Sequence, residues 1–140
     1  MSSTDPWITL GRGYDASLEI IQDPTREVYV AGDEGGVTGF VILNMGGAFV
    51  GYIQTVAVRE DVRSTGLGSR LIAFAEDRIF RKSPNVFMCV SGFNTRAKHL
   101  YERLGYTVVG VLDNYVVTGY SEWLLRKTRG PIIGFERKET

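Results

Sequence analysis

Val62-Arg63-Ser64-Thr65-Gly66-Leu67-Gly68-Ser69-Arg70-Leu71 follows a strand-like stretch, Tyr52 to Arg59, and runs straight into a helical pattern. A glycine turn at a helix start presents N–H groups that have no intrahelical partner, at the positive end of the helix macrodipole. Such a junction suits an anion, and phosphate is its natural guest. The spacing is neither the dinucleotide fingerprint nor a Walker loop, because Leu71 stands where a third glycine would fall and no Gly-Lys-Ser/Thr follows.

Downstream, Leu67, Leu71, Ala75 and Ile79 recur every four residues while Arg70, Glu76, Asp77 and Arg81 fall elsewhere, which predicts an amphipathic helix ended by Ser83-Pro84-Asn85. Val86 to Val90 reads as a buried strand. A second helix is predicted from Asn94, with Ala97, Leu100, Tyr101 and Leu104 on one face and Gly105 as its left-handed terminus. Tyr106 to Leu112 and Ser121 to Lys127 read as strands, and Tyr115-Val116-Val117 in the connection could extend either one.

Upstream, Ala48 to Arg59 is long for one strand and is expected to be bent or bulged. Glu27 to Ala31 and Val37 to Met45 read as strands joined by a turn at Asp33-Glu34-Gly35-Gly36. Helices are expected near Asp5-Pro6-Trp7 and over Asp15 to Gln22. The order of helix, helix, three strands, helix, strand, helix, two strands predicts one α/β or α+β domain over residues 1–140, a mixed sheet flanked by helices. A cofactor in such a sheet belongs beyond the carboxyl ends of the strands ending near Arg59 and Ser91.

Composition narrows the function. With 140 residues, 44% of them hydrophobic, and 16 basic residues balancing 16 acidic ones, the chain can bury a core and carries no net charge to recruit nucleic acid or an anionic membrane. One cysteine, Cys89, and one histidine, His99, are too few soft ligands for a zinc site, so no metal is expected. No stretch approaches the ~20 apolar residues of a membrane span, and the start lacks signal-peptide order. A cytoplasmic protein is the expectation.

The second informative stretch is Asn94-Thr95-Arg96-Ala97-Lys98-His99-Leu100-Tyr101-Glu102-Arg103-Leu104-Gly105-Tyr106. Paired with the Arg-x-x-Gly-x-Gly form of Arg63 to Gly68, it resembles the cofactor-binding motifs of the GNAT superfamily of N-acyltransferases. The resemblance covers about Ala48 to Val109. It implies the acyl-coenzyme A N-acyltransferase fold, a mixed and mostly antiparallel sheet with helices on both faces and splayed central parallel strands. It also implies transfer of an acetyl group from acetyl-coenzyme A to an amine by direct attack.

Carried onto this chain, the resemblance implies that the loop Arg63, Ser64, Thr65, Gly66, Leu67, Gly68 and Ser69 holds the pyrophosphate. The backbone of Val56, Ala57 and Val58 pairs with the pantetheine arm, and Asn94 binds the pantetheine region. Tyr101 faces the sulfur and protonates the departing thiolate, while an N–H near Val58 stabilises the tetrahedral oxyanion. Outside the motif Tyr101 reads as a core tyrosine and Asn94 as a helix N-cap. Arg70 and Arg96 read as solvated charges, His99 as an exposed histidine, and Cys89 as a small packed hydrophobe.

The acceptor side is less defined. An aliphatic amine with a pKa of about 10.4 is neutral in roughly one molecule in 2,500 at pH 7, so a base or water chain has to relieve that penalty. Many family members carry a glutamate on the strand before the glycine loop. Tyr52, Gln54 and Thr55 occupy that strand here. Glu122, opening a late strand, is the candidate base or amine attractor, against the plainer reading of an exposed strand-edge charge; Glu19 and Glu27 are outsiders. The acceptor is expected to be a small-molecule or peptide amine, and the apolar tail Arg129 to Phe135 could cover the chain's own cleft or a second copy in a homodimer. A non-catalytic acyl-coenzyme A sensor or interaction module is the alternative.

Overall fold

The computed structural model describes residues 22–138. In chain order it contains β1 (Arg26–Asp33), β2 (Gly36–Asn44), β3 (Tyr52–Val58), α1 (Leu67–Ile79), β4 (Asn85–Ser91), α2 (Thr95–Arg103), β5 (Thr107–Asp113) and β6 (Ser121–Thr128). The strands form one six-stranded sheet in the order β1-β2-β3-β4-β6-β5, the mixed α/β arrangement expected from the sequence. The helices expected near Asp5 and over Asp15 to Gln22 lie outside the described residues, apart from Gln22 itself. Contacts divide the described chain into two compact units, one of residues 24–87 and 128–138, the other of residues 22–23 and 88–127.

In the first unit β1, β2 and β3 form an antiparallel meander. The turn after β1 closes through Asp33 Oδ1, which accepts the Gly35 amide at 2.8 Å. β3 is shorter than the predicted Ala48–Arg59 strand, because the chain bends sharply at Gly51. That glycine has φ 94°, and a Cβ there would lie 2.5 Å from the Asn85 carbonyl oxygen and 2.6 Å from Ile79 Cγ2. The expected bulge is present, as a register shift between Ile42 and Leu43 of β2 that leaves Gln54 as an extra residue in β3.

α1 buries Leu71, Ile72, Ala75 and Ile79, against a core that includes the fully buried Val41, Ile42, Leu43 and Val86. Each such side chain contributes about 1.5–3 kcal/mol by leaving water. Gly39 lets helix and sheet approach, since a Cβ on it would sit 2.8 Å from the Ala57 carbonyl oxygen and 3.1 Å from Leu71 Cδ1. A polar clamp joins β1 to the same helix. Arg78 donates from Nε and Nη2 to the two carboxylate oxygens of Glu27 at 2.9 and 2.8 Å, and the Tyr29 hydroxyl donates to Glu27 at 2.6 Å. The C-terminal tail docks onto its own unit, with the Arg129 amide on the Pro84 carbonyl at 2.8 Å and the Arg129 guanidinium 3.9 Å above the Phe80 ring.

In the second unit α2 starts at Asn94, whose side chain accepts the Ala97 amide. It ends at Gly105 in the left-handed region, φ 103°, as its place after the apolar face predicted. None of the α2 side chains is fully buried; Ala97, Leu100, Tyr101 and Leu104 are half-buried. β5 and β6 pair antiparallel, with a register shift between Val108 and Gly110. Tyr115-Val116-Val117 extends neither strand. Asn114, at φ 55°, takes the Gly119 amide on its side-chain oxygen at 2.8 Å, and this closes the segment into turns.

Candidate active site

The glycine loop is assembled from the end of β3 outward. A turn of 3-10 helix, Glu60–Val62, follows Val58 and Arg59, and the Arg63 amide bonds back to the Glu60 carbonyl at 3.3 Å. Ser64 and Gly66 then both take positive φ, 66° and 87°. The first bond of α1 is donated by Arg70 to the Gly66 carbonyl at 3.1 Å, and no side chain caps the helix. The amides of Leu67, Gly68 and Ser69 are therefore the unclaimed donors that a helix start provides. A Cβ on Gly66 would meet nothing within 4 Å, so its glycine answers to φ, and the space before it is open.

Side chains brace this loop from within. Thr65 Oγ1 donates to the Val62 carbonyl at 2.6 Å, and Arg63 Nε donates to the Val58 carbonyl at 3.3 Å. The arginine is thus tied by one nitrogen, with the rest of its guanidinium at the exposed loop surface. Val56, Ala57 and Val58 pair through β2 with Val41, Phe40 and Gly39. The donor half of the predicted site, residues 56–58 and 63–69, is one continuous piece of the first unit.

Asn94 and Tyr101 belong to the second unit. Asn94 Oδ1 is occupied by the Ala97 amide at 3.2 Å, which leaves its amide nitrogen as donor, so the cap and a binding role are compatible. Tyr101 packs edge-on to Tyr106, ring centroids 6.4 Å apart. Burial pushes its phenol above the ordinary value, so Tyr101 is protonated throughout the neutral range.

Glu122 differs from the expected strand-edge charge. It is buried, 6% exposed, opposite Leu112 in the β5–β6 ladder. Its neighbour Trp123 lies under Lys98 of α2 at 4.8 Å, and Lys127 lies 5.9 Å from the Tyr106 ring. Side chains alternate along a strand, so Glu122 projects to the face of β6 away from α2 and Tyr101. Glu27 is disqualified as a base. Burial alone would raise its carboxyl, but the hydrogen bonds from Arg78 and Tyr29 outweigh that and hold it below the usual value. Glu19 lies outside the described residues. His99 and Arg70 are exposed and Cys89 is half-buried in β4.

Segment-by-segment reading passed over Phe93 and Tyr120, whose rings meet edge to face at 5.4 Å. The only available signal was their position, one beside Asn94 and the other two residues before Glu122. Among the described residues no group of three or more His, Cys, Asp or Glu could hold a metal, and no helix is long and apolar enough to cross a membrane.

The uncapped amides at this strand-to-helix turn have the geometry of an anion site. Residues 3–106 match the Acetyltransferase (GNAT) family, and the chain belongs to it. The protein is thus an N-acetyltransferase of that family. An uncharacterised N-acetyltransferase of Methanocaldococcus jannaschii is 30% identical over 115 residues, spanning 75% of this chain and 70% of that one. Among solved structures, one assigned as a streptothricin acetyltransferase from Bacillus anthracis, in complex with acetyl coenzyme A, superposes with a TM-score of 0.68 at 22% identity, over 81% of this chain and 68% of that chain. The ribosomal-protein-S18-alanine N-acetyltransferase of Escherichia coli also gives 0.68, at 18% identity, over 84% of this chain and 78% of its own. These likenesses carry the fold.

Proposed function

We propose that the chain works as a single domain, residues 1–140, in the cytoplasm and without a metal, and that it binds acetyl-coenzyme A. The observation that carries this reading is the run of unclaimed amides at Leu67, Gly68 and Ser69, which with the Arg63 guanidinium suits a pyrophosphate. Thr65 and Ser64 shape the loop. The backbone of Val56, Ala57 and Val58 takes the pantetheine arm as an added strand would, and Asn94 donates to it through its amide nitrogen.

In the reaction an acceptor amine attacks the thioester carbonyl carbon, the carbonyl oxygen becomes an oxyanion held by an N–H near Val58, and the carbon–sulfur bond then breaks. Tyr101 gives its proton to the departing sulfur. A phenol of raised pKa is a weaker acid, so the transfer is concerted with thiolate departure instead of preceding it. Glu122, buried on the other face of β6, is the carboxylate assigned to draw the ammonium group in and to take its proton. The acceptor is a small-molecule or peptide amine, and a homodimer is compatible with the exposed Ile132 and Ile133 of the tail.

The test is calorimetry of coenzyme A on the wild type and on Gly66→Glu, coupled to thiol release from acetyl-coenzyme A with a panel of amines and peptides. Binding that is lost in the variant, with thiol release in the wild type, supports the reading. Absence of coenzyme A binding to the wild type sinks it.

A further inference from the structure

A cleft of about 490 Å³ opens between β1 and the N-terminal half of α1, wholly within the first unit. Its walls are apolar, with Tyr29 and Val30 on the strand and Leu67, Leu71 and Phe74 on the helix. The two rings are held edge to face, centroids 4.9 Å apart, and the Tyr29 hydroxyl is anchored on Glu27. The aromatic wall is thus built before any ligand arrives. Phe74 is nonetheless 48% exposed and Val30 65%. Exposed apolar walls around a concave surface are the usual lining of a small-molecule site, and a few convergent polar groups then select the ligand.

Three such groups line this cleft. β1 and β2 slip register between Ala31 and Gly32, which leaves Thr38 as an extra residue of β2, and a bulge of this kind re-aims a side chain. Thr38 is only 7% exposed, yet among the described residues its hydroxyl has no hydrogen-bond partner, an arrangement that a polar ligand would relieve. Asp33 ends β1 with Oδ1 on the Gly35 amide, which leaves Oδ2. Arg59 feels this charge, but its guanidinium is engaged by both oxygens of Asp61 at 2.5 and 3.0 Å. Arg70, in the first turn of α1, has no partner for its guanidinium among the described residues. Apolar walls carrying one cation, one anion and one hydroxyl match an amphipathic zwitterion. We infer that the cleft is a binding site for a free α-amino acid with an apolar side chain, its carboxylate on Arg70 and the Thr38 hydroxyl, its ammonium on Asp33, and its side chain against Leu71 and Phe74. The cleft also reaches the donor loop, since Val62 and Thr65 line it and Thr65 Oγ1 is the brace on the Val62 carbonyl. A bound amino acid therefore stiffens the loop and tightens coenzyme A, and coenzyme A tightens the amino acid by the same factor. That coupling rests on the donor-site reading above; the cleft itself does not.

Titration with L-leucine in the absence of any acyl donor reads the cleft without turnover. The amino acid is expected to shift the ring signals of Tyr29 and Phe74 saturably in isotope-labelled protein. Isocaproate, which lacks the ammonium, and L-leucinamide, which lacks the carboxylate, are expected to bind about tenfold more weakly. Arg70→Gln removes the cation, and Asp33→Asn removes the anion while keeping an oxygen for the Gly35 amide. Each is expected to weaken L-leucine about tenfold while coenzyme A affinity, measured by calorimetry without L-leucine, stays at the wild-type value and shows the fold and the loop intact. In the wild type, saturating L-leucine is expected to tighten coenzyme A about twofold to threefold. Absence of a saturable shift, equal binding of either analogue, or displacement of L-leucine by coenzyme A overturns the site. Coenzyme A affinity that is indifferent to L-leucine overturns the coupling. Failure of the wild type to bind coenzyme A while it still binds L-leucine counts against the donor-site reading instead.

Discussion

Two loops in this chain do comparable geometric work by opposite means. The segment from Arg63 to Ser69 turns the chain by placing Ser64 and Gly66 at positive φ, and no side chain caps the helix that follows. The segment from Asp113 to Ser121 also uses positive φ, at Asn114 and Gly119, but there a side chain consumes the amide, Asn114 Oδ1 taking the Gly119 N–H. The first loop therefore offers backbone donors, and the second offers side chains, with Tyr115 62% and Tyr120 41% exposed. A backbone-built site serves an invariant ligand such as a pyrophosphate. A loop surface built from side chains can be retuned residue by residue.

The largest effect is expected at the first loop. Gly66→Glu sets a carboxylate against the anion and forces a side chain onto φ 87°, and should weaken coenzyme A binding by on the order of a hundredfold in calorimetry. Gly66→Ala carries only the backbone strain, about 1 kcal/mol, and should weaken binding far less. Equal losses in the two variants would mean that loop geometry, not charge, governs the anion.

Next in size comes Tyr101→Phe. Removing the acid should lower kcat by roughly a hundredfold with coenzyme A affinity intact, since the ring keeps its edge-on contact with Tyr106. An unchanged kcat would return Tyr101 to the role of a core tyrosine. On the acceptor side Glu122→Gln is expected to lower kcat/KM for the amine about tenfold and to remove the acidic limb of its pH profile. Full activity and unchanged acceptor affinity in that variant would eliminate the carboxylate as base.

These contrasts explain what was legible in the sequence. The turn at Gly66 and the cap at Asn94 could be read because backbone and cap geometry fix residue type at fixed spacing. The strands and both helices were legible through apolar period. Ala48–Gly51 was not, because a strand-like composition gives no sign that Gly51 must meet the Asn85 carbonyl, a contact made across 34 residues of sequence (85 − 51). The burial of Glu122 was hidden for a similar reason. A lone carboxylate at a strand start looks exposed until the pairing of β6 is known, and the Phe93–Tyr120 contact exists only through that same pairing.

The clamp between β1 and α1 supplies a smaller effect, confined to the first unit. Glu27 is held below the usual value of 4.5, where burial is outweighed by the Arg78 and Tyr29 hydrogen bonds. A carboxyl depressed in the folded state stabilises it above the unfolded pKa, and that contribution disappears as pH falls through the lower, folded value. Glu27→Gln should therefore destabilise the protein by about 1 kcal/mol at pH 7 and less at pH 3, measured by urea unfolding. A difference that stays constant between the two would mean that the pair acts through packing.

The smallest effect separates stability from binding within the donor loop itself. Ser64 is a non-glycine residue at φ 66°, a conformation that costs about 1 kcal/mol and is tolerated where surrounding structure enforces it. Ser64→Gly removes that strain, but it also widens the choices open to the unfolded chain, which offsets part of the gain. Unfolding free energy should therefore move by only a few tenths of a kcal/mol. Coenzyme A binding should weaken by about twofold to threefold, because a glycine no longer commits the loop to the arrangement in which the next amides converge. If affinity is unchanged while stability rises, the serine's strain is incidental, and Gly66 with the start of α1 suffices to orient the donors.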